Sequence, residues 1–307
     1  MAVPKAFKSF KVEDATVALW LFRKTQRPTG QPPGYLGRWV ETHETLDAKL
    51  KEAVTAERNR ITETQEYSLL AQNNEGSALA IDVLVTNAGL ILNQAAAELS
   101  KRRVKTMKEI QNTNFYVIKL TLSGKNLYAV RKAEGSWQTK KMKDVIYAFF
   151  SGSRLALDDK PSFRISPSVD FFIFEDQVLI SHKSHFESIL SYKEAHMEDF
   201  QELQQDHTFQ SLFTTLDPLV LFVGSNKIHL RRACAIHDKG HYKNKKFMSR
   251  LRKEHANYQL KLEFDLQGRI APTEETCADI IRALLDHRLL SPFSEHLYDV
   301  QDAAVVS

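Results

Sequence analysis

The chemistry most legible in this sequence is that of fixed positive charge. Residues 231–255 read RRACAIHDKGHYKNKKFMSRLRKEH, in which nine Lys or Arg residues face two acids, Asp238 and Glu254, for a local charge of +7. A helix over residues 242–255 places Lys243, Lys246, Arg250 and Lys253 on one side and Phe247, Met248 and Leu251 on the other. Docked by its apolar side, such a helix holds a line of ammonium and guanidinium groups outward. Duplex DNA offers one charge per ~1.7 Å of axis, so a row of this kind can release several counterions together. The candidate contacts here are Arg231, Arg232, Lys243, Lys245, Lys246, Arg250, Arg252 and Lys253. Two clusters echo the stretch. One is Lys101, Arg102, Arg103, Lys105 and Lys108, opposed by no acid in the run until Glu109; the other is Lys140, Lys141 and Lys143. A solvated basic surface with no partner is the competing reading of the same residues. No helix-turn-helix pattern, zinc-finger spacing or RNP-type aromatic motif accompanies the charge, so the expectation is backbone binding with little base readout.

Other chemistries find less support. His237, Asp238 and His241 form H-D-x-x-H, a spacing that can share a metal on a helix, but Gly240 breaks the helix and the surroundings are cationic. His182 and His185 flank a helix start, where polar residues are ordinary. A metal-dependent nuclease needs an acid on one strand and E-x-K on the next. Asp170 and Glu175-Asp176 lie on a suitable hairpin, yet no Lys follows Glu175 by two, and Lys183 is too distant. GxxxxGK[ST], GxGxxG and GxSxG are all missing. No catalytic residue, cofactor or metal ligand is therefore assigned. The two cysteines, Cys234 and Cys277, stand in unrelated contexts and indicate neither a zinc site nor a disulfide framework.

The elements that must position these residues follow from periodicity. Residues 169–174 and 178–181 are apolar β-type runs around the polar break Glu175-Asp176-Gln177, which reads as a tight hairpin. Phe186, Ile189 and Leu190 then fall at helical spacing, with Ser184 as the expected N-cap and Glu187 completing a capping box. Residues 115–122 and 127–131 form the clearest hairpin, joined by Ser123-Gly124-Lys125-Asn126. Strands are expected at 16–22, 65–71, 79–85 and 258–264. Helices are expected at 43–61, 90–100 and after Pro272; residues 228–236 suit helix or strand. The fold class is α+β, with hairpins packed against amphipathic helices. The basic run before Glu109 marks a boundary between an N-terminal α+β region, 1–108, and a larger domain, 109–307.

The whole-chain properties agree. At 307 residues the chain can bury a core of useful size, and its formal charge of +4 conceals the clustering. The N-terminal residues lack the apolar core of a signal peptide, and no stretch approaches the ~18 apolar residues of a spanning helix. A reducing cytoplasmic setting without direct membrane insertion is expected.

The hairpin-to-helix segment FFIFEDQVLISHKSHFESILSY resembles the core of the KwaB-like proteins of the bacterial Kiwa anti-phage system. The closing segment IIRALLDHRLLSPFSEHLYDV is similar to that family's C-terminal end. The resemblance covers residues 110 to 300. It implies a cytoplasmic anti-phage effector that binds DNA and hinders replication or expression of phage DNA. It also implies self-association as a dimer and recruitment to the inner face of the membrane by a membrane-spanning KwaA-like partner. It carries no catalytic motif onto particular residues. The alternatives from other classes are a nuclease using Asp170 and Glu175, and an adaptor without nucleic-acid binding.

Overall fold

The structure is a computed structural model that describes residues 1–25, 33–135, 137–138, 146–158 and 162–300. The chain divides into two compact units, residues 1–66 with 73–191, and residues 67–72 with 192–307.

Unit 1 is built on one eight-stranded mixed sheet. Its elements run α1 (Lys5–Ser9), β1 (Thr16–Thr25), β2 (Gly34–Val40), α2 (Glu44–Arg60), β3 (Glu63–Glu66), β4 (Ser77–Asp82), α3 (Ala88–Ala95), α4 (Leu99–Arg102), α5 (Met107–Gln111), β5 (Phe115–Leu122), β6 (Lys125–Lys132), β7 (Ala148–Ser151), β8 (Arg154–Leu157), β9 (Phe171–Phe174), β10 (Gln177–Ile180) and α6 (Lys183–Ile189). The sheet order is β2-β1-β5-β6-β9-β10-β4-β3, with β7 and β8 forming a separate pair. The apolar run of β1 becomes an interior strand, with Leu19, Trp20, Leu21 and Phe22 all buried. β9 is buried at all four positions because both of its faces are covered. Phe172 meets Phe7 of α1 edge-on at 5.3 Å on one face, and Phe171 meets Phe186 of α6 at 5.2 Å on the other. The β5–β6 turn contracts to Ser123-Gly124, with φ of 50° and 78°, as a primed two-residue hairpin turn requires.

The expected boundary between residues 108 and 109 falls inside unit 1. β5 pairs with β1 along seven residues, so the sheet joins what local composition separated. The N-cap of α6 is His182, not Ser184. Asp170 is the reason: its carbonyl accepts from His182 N at 2.7 Å and its carboxylate lies 2.8 Å from His185 Nδ1, which fixes where the helix begins.

Unit 2 is mainly helical: α7 (Tyr192–Gln205), α8 (His207–Gln210), α9 (Asp217–Val223), α10 (Lys227–Lys239), α11 (Lys245–Glu254) and α12 (Cys277–Leu284), closed by the hairpin of β11 (Arg288–Leu290) and β12 (Leu297–Asp299). Its core gathers Phe209, Phe213, Leu230, Tyr242, Met248 and Ile280. Residues 228–236 resolve as helix, capped by Asn226 at the start and by Gly240 in the left-handed region at the end. The alternation in residues 258–264 does not make a strand. Leu260 and Leu262 are buried, but Gln259 turns the chain with φ 53°, and only an isolated bridge joins Phe264 to Ile270. Alternation reports an extended segment with one buried side; it does not supply a neighbouring strand.

Candidate nucleic-acid interface

The element that presents the densest charge is α11, and its local sequence explains its position. Gly240 ends α10, a 3-10 turn follows over His241–Lys243, and the Asn244 side chain accepts from Lys246 N and Phe247 N to start the new helix. The turn is anchored by Tyr242, which is buried and donates its hydroxyl to Asp206 Oδ2 at 2.7 Å. Asp206 also caps α8 and lies 3.4 Å from Lys243 Nζ. The Tyr242 hydroxyl, the Phe209 and Thr208 amides and Lys243 together hold its carboxyl down at about 2. Burial and this carboxylate push the Tyr242 hydroxyl up in turn.

Met248 is buried, and Phe247 and Leu251 pack against the same core. Lys245, Lys246, Arg250, Arg252 and Lys253 are all exposed. At 3.6 residues per turn they span an outward arc of about 160°, over a helix about 15 Å long. Arg250 pairs with Glu254 at 3.1 Å, and Arg252 Nε donates to the Gly268 carbonyl at 2.7 Å. Lys245, Lys246 and Lys253 form no ion pair among the described residues. Arg231 and Arg232 lie half-buried on α10 and do not join this row.

Beside α11 a cleft of about 300 Å³ is lined by Arg250, Arg282 and Arg288 together with Phe247, Leu251 and Leu290. Arg282 and Arg288 were not singled out from sequence. Each is held by an acid, Arg282 by Asp279 at 2.6 Å and Arg288 by Asp299 at 2.6 Å, and the acids lie near in sequence only for Arg282.

The basic run in unit 1 folds differently. Lys101 pairs with Glu98 at 2.8 Å, and this ammonium, with the Ser100 hydroxyl, holds the Glu98 carboxyl below its ordinary range. Arg103 pairs with Glu41 and sits over the Trp39 ring at 5.7 Å. Lys105 N donates to Glu109, whose side chain also closes a capping box with Thr106. Arg102 and Lys108 form no ion pair among the described residues. Lys140, Lys141 and Lys143 lie outside the described residues.

The acidic pair considered for metal chemistry is split. Asp170 is fully buried and receives Arg131 Nη1 at 2.5 Å and Lys132 N at 2.7 Å. Glu175 sits in the turn at the far end of β9, paired with Lys125 at 2.9 Å. Five residues of extended chain separate the two by about 16 Å, so they do not bracket one ion. Asp170, His182 and His185 do bring ligand atoms together, but the Arg131 guanidinium already neutralises the carboxylate there. His237 and His241 are divided by the helix end at Gly240, as the glycine between them predicts. No helix among the described residues is long and apolar enough to cross a membrane.

Against known proteins, residues 110–293 match the model of the family described as Kiwa protein KwaB-like. No curated protein and no solved structure matches the chain.

Proposed function

Since the chain belongs to the KwaB-like family of Kiwa proteins, and so to an anti-phage defence system with other components, we propose that it acts there by binding DNA through the phosphate backbone. The observation that carries this reading is α11, an amphipathic helix with an apolar side in the core of unit 2 and five exposed cations on the other. Three of those cations carry no ion pair among the described residues, so binding phosphate does not first require breaking one there. A helix side of Lys and Arg without an accompanying base-reading module favours affinity with little sequence preference. The protein would then hinder replication or expression of phage DNA without cutting it. Membership of the family also supports self-association as a dimer and recruitment to the inner membrane face by a membrane-spanning KwaA-like partner.

The test is fluorescence anisotropy of the full chain with two duplexes of unrelated sequence across a salt series. The expected result is similar affinity for both and a steep linear fall of log affinity with log salt. No binding at low salt would refute the reading. Supercoiled plasmid incubated with magnesium or manganese is expected to remain intact; nicking or linearisation would favour the nuclease alternative. An adaptor reading has one observation of its own, the hairpin of β7 and β8, which exposes Phe150, Leu155 and Leu157. Loss of defence on Leu155→Ser with DNA binding unchanged would support it.

A further inference from the structure

Away from α11, unit 2 holds a second cluster of chemically able side chains, and it has no part in the proposed DNA contact. His196 and Asp199 lie three residues apart on α7, and therefore on one side of that helix. Cys234 lies on α10. The Nδ1 or Nε2 of His196, a carboxylate oxygen of Asp199 and the Cys234 Sγ all fall within 4.8 Å of one another. His196 is 5% exposed and Cys234 1%, while Asp199 is half-buried.

We infer that His196, Asp199 and Cys234 form a binding site for a divalent transition metal, with zinc the best fit. The donor set carries the assignment: imidazole nitrogen, thiolate sulfur and carboxylate oxygen are the three ligand types zinc accepts in tetrahedral sites. Three atoms within 4.8 Å of one another share a central point no more than about 2.8 Å from each, against zinc–ligand distances of ~2.0–2.3 Å. Closing that gap takes movements of about 0.5 to 0.8 Å, within reach of side-chain torsions. The local charge favours a cation. Asp238, four residues after Cys234 on the same side of α10, acts electrostatically on both Cys234 and Asp199, and Glu202 and Glu198 also act on Asp199, with the His237 imidazole opposing them. A dication relieves the mutual repulsion of these carboxylates where burial has weakened screening by water.

Binding is proton-coupled. Without metal, the Cys234 thiol donates to the His196 carbonyl at 3.2 Å. With metal, the sulfur–proton bond breaks, the proton leaves to solvent and the sulfur lone pair forms the metal–sulfur bond. The site then ties α7 to α10, two helices of the same core. The sequence carried little sign of it, because Cys234 lies 38 residues from His196 and only the H-x-x-D spacing is local.

The experiment titrates tag-free full chain, cleared of metal by chelation, with Co²⁺ and then Zn²⁺ under reducing conditions. The expected result is a thiolate-to-cobalt charge-transfer band that saturates and is abolished by zinc. The chain has only two cysteines, so the sulfur is assignable: Cys234→Ser should lack the band and Cys277→Ser should keep it. Asp199→Asn, at a half-buried position suited to retaining the fold, should keep the band with at least about tenfold weaker affinity. This variant decides the matter should Cys234→Ser not fold. No band in the wild-type chain, a band that survives Cys234→Ser, or unchanged affinity in Asp199→Asn would overturn the assignment.

Discussion

The basic run at residues 101–108 and the basic helix at residues 245–254 look alike as sequence and differ as structure. In the unit 1 run, divided between α4 and α5, Lys101 is answered by Glu98 and Arg103 by Glu41 and the Trp39 ring, while Arg102, Lys105 and Lys108 form no ion pair among the described residues. In unit 2 the α11 cations stand on an outward arc, and Lys245, Lys246 and Lys253 have no acid partner among the described residues. Charge density along the chain is therefore a poor guide to charge available to a ligand. What decides availability is whether an acid stands alongside, and that acid can be near in sequence, as Glu98 is to Lys101, or distant, as Glu41 is at 62 residues from Arg103.

The sharpest way to probe the paired unit is Asp170→Ala. It leaves the Arg131 guanidinium and the Lys132 amide without their buried acceptor, and breaking a buried pair in this way costs about 3–5 kcal/mol. Thermal unfolding should show that loss. A variant of unaltered stability would mean that Asp170 does not hold Arg131 and Lys132 in the fold. Next in size is the effect on the open unit. Lys246→Ala, Arg250→Ala and Lys253→Ala together remove up to three phosphate contacts, reducing the salt slope by about 2.7 and affinity at physiological salt on the order of a hundredfold. The loss should be equal on unrelated sequences, and unequal losses would point to base readout.

A smaller effect concerns the support beneath α11. Asp206→Ala removes the cap of α8 and the acceptor for Tyr242, at a cost of about 1 kcal/mol for the cap. The pH dependence has a definite sign. The folded carboxyl, at about 2, lies below its ordinary value of 3.8, so its stabilisation is complete above about pH 4 and is lost as pH falls towards 2. Acid unfolding followed by circular dichroism should be less steep in that window for Asp206→Asn than for the wild type. The smallest effect belongs to the two paired cations of the 101–108 run. Lys101→Ala with Arg103→Ala should change DNA affinity by less than about twofold, because exposed paired charges contribute little. Glu41→Gln with Glu98→Gln should strengthen binding by freeing the same two cations.

Much of the fold was legible where its causes are local. The two hairpins at residues 115–132 and 171–180 are written in alternating or continuous apolar runs around turn residues, and α11 is written in the spacing of Phe247, Met248 and Leu251. The division into units was not, because it depends on β1 meeting β5 across roughly a hundred residues. The strand expected at 258–264 failed for a related reason: Leu260 and Leu262 bury as an alternating pattern should, yet among the described residues no partner strand lies beside them. Of the candidate site, the row on α11 was readable from side-chain types alone. The half-burial of Arg231 and Arg232, the capture of Arg103 by Glu41 and the place of Arg282 and Arg288 beside α11 required the tertiary structure.

The most direct test compares salt slopes for duplex DNA among three proteins: the wild-type chain, the Lys246/Arg250/Lys253 alanine variant and the Lys101/Arg103 alanine variant. The expected slope is shallower by about 2.7 in the first variant and unchanged in the second. Equal slopes in wild type and the α11 variant, or a larger loss in the Lys101/Arg103 variant, would contradict it and move the DNA contact away from α11.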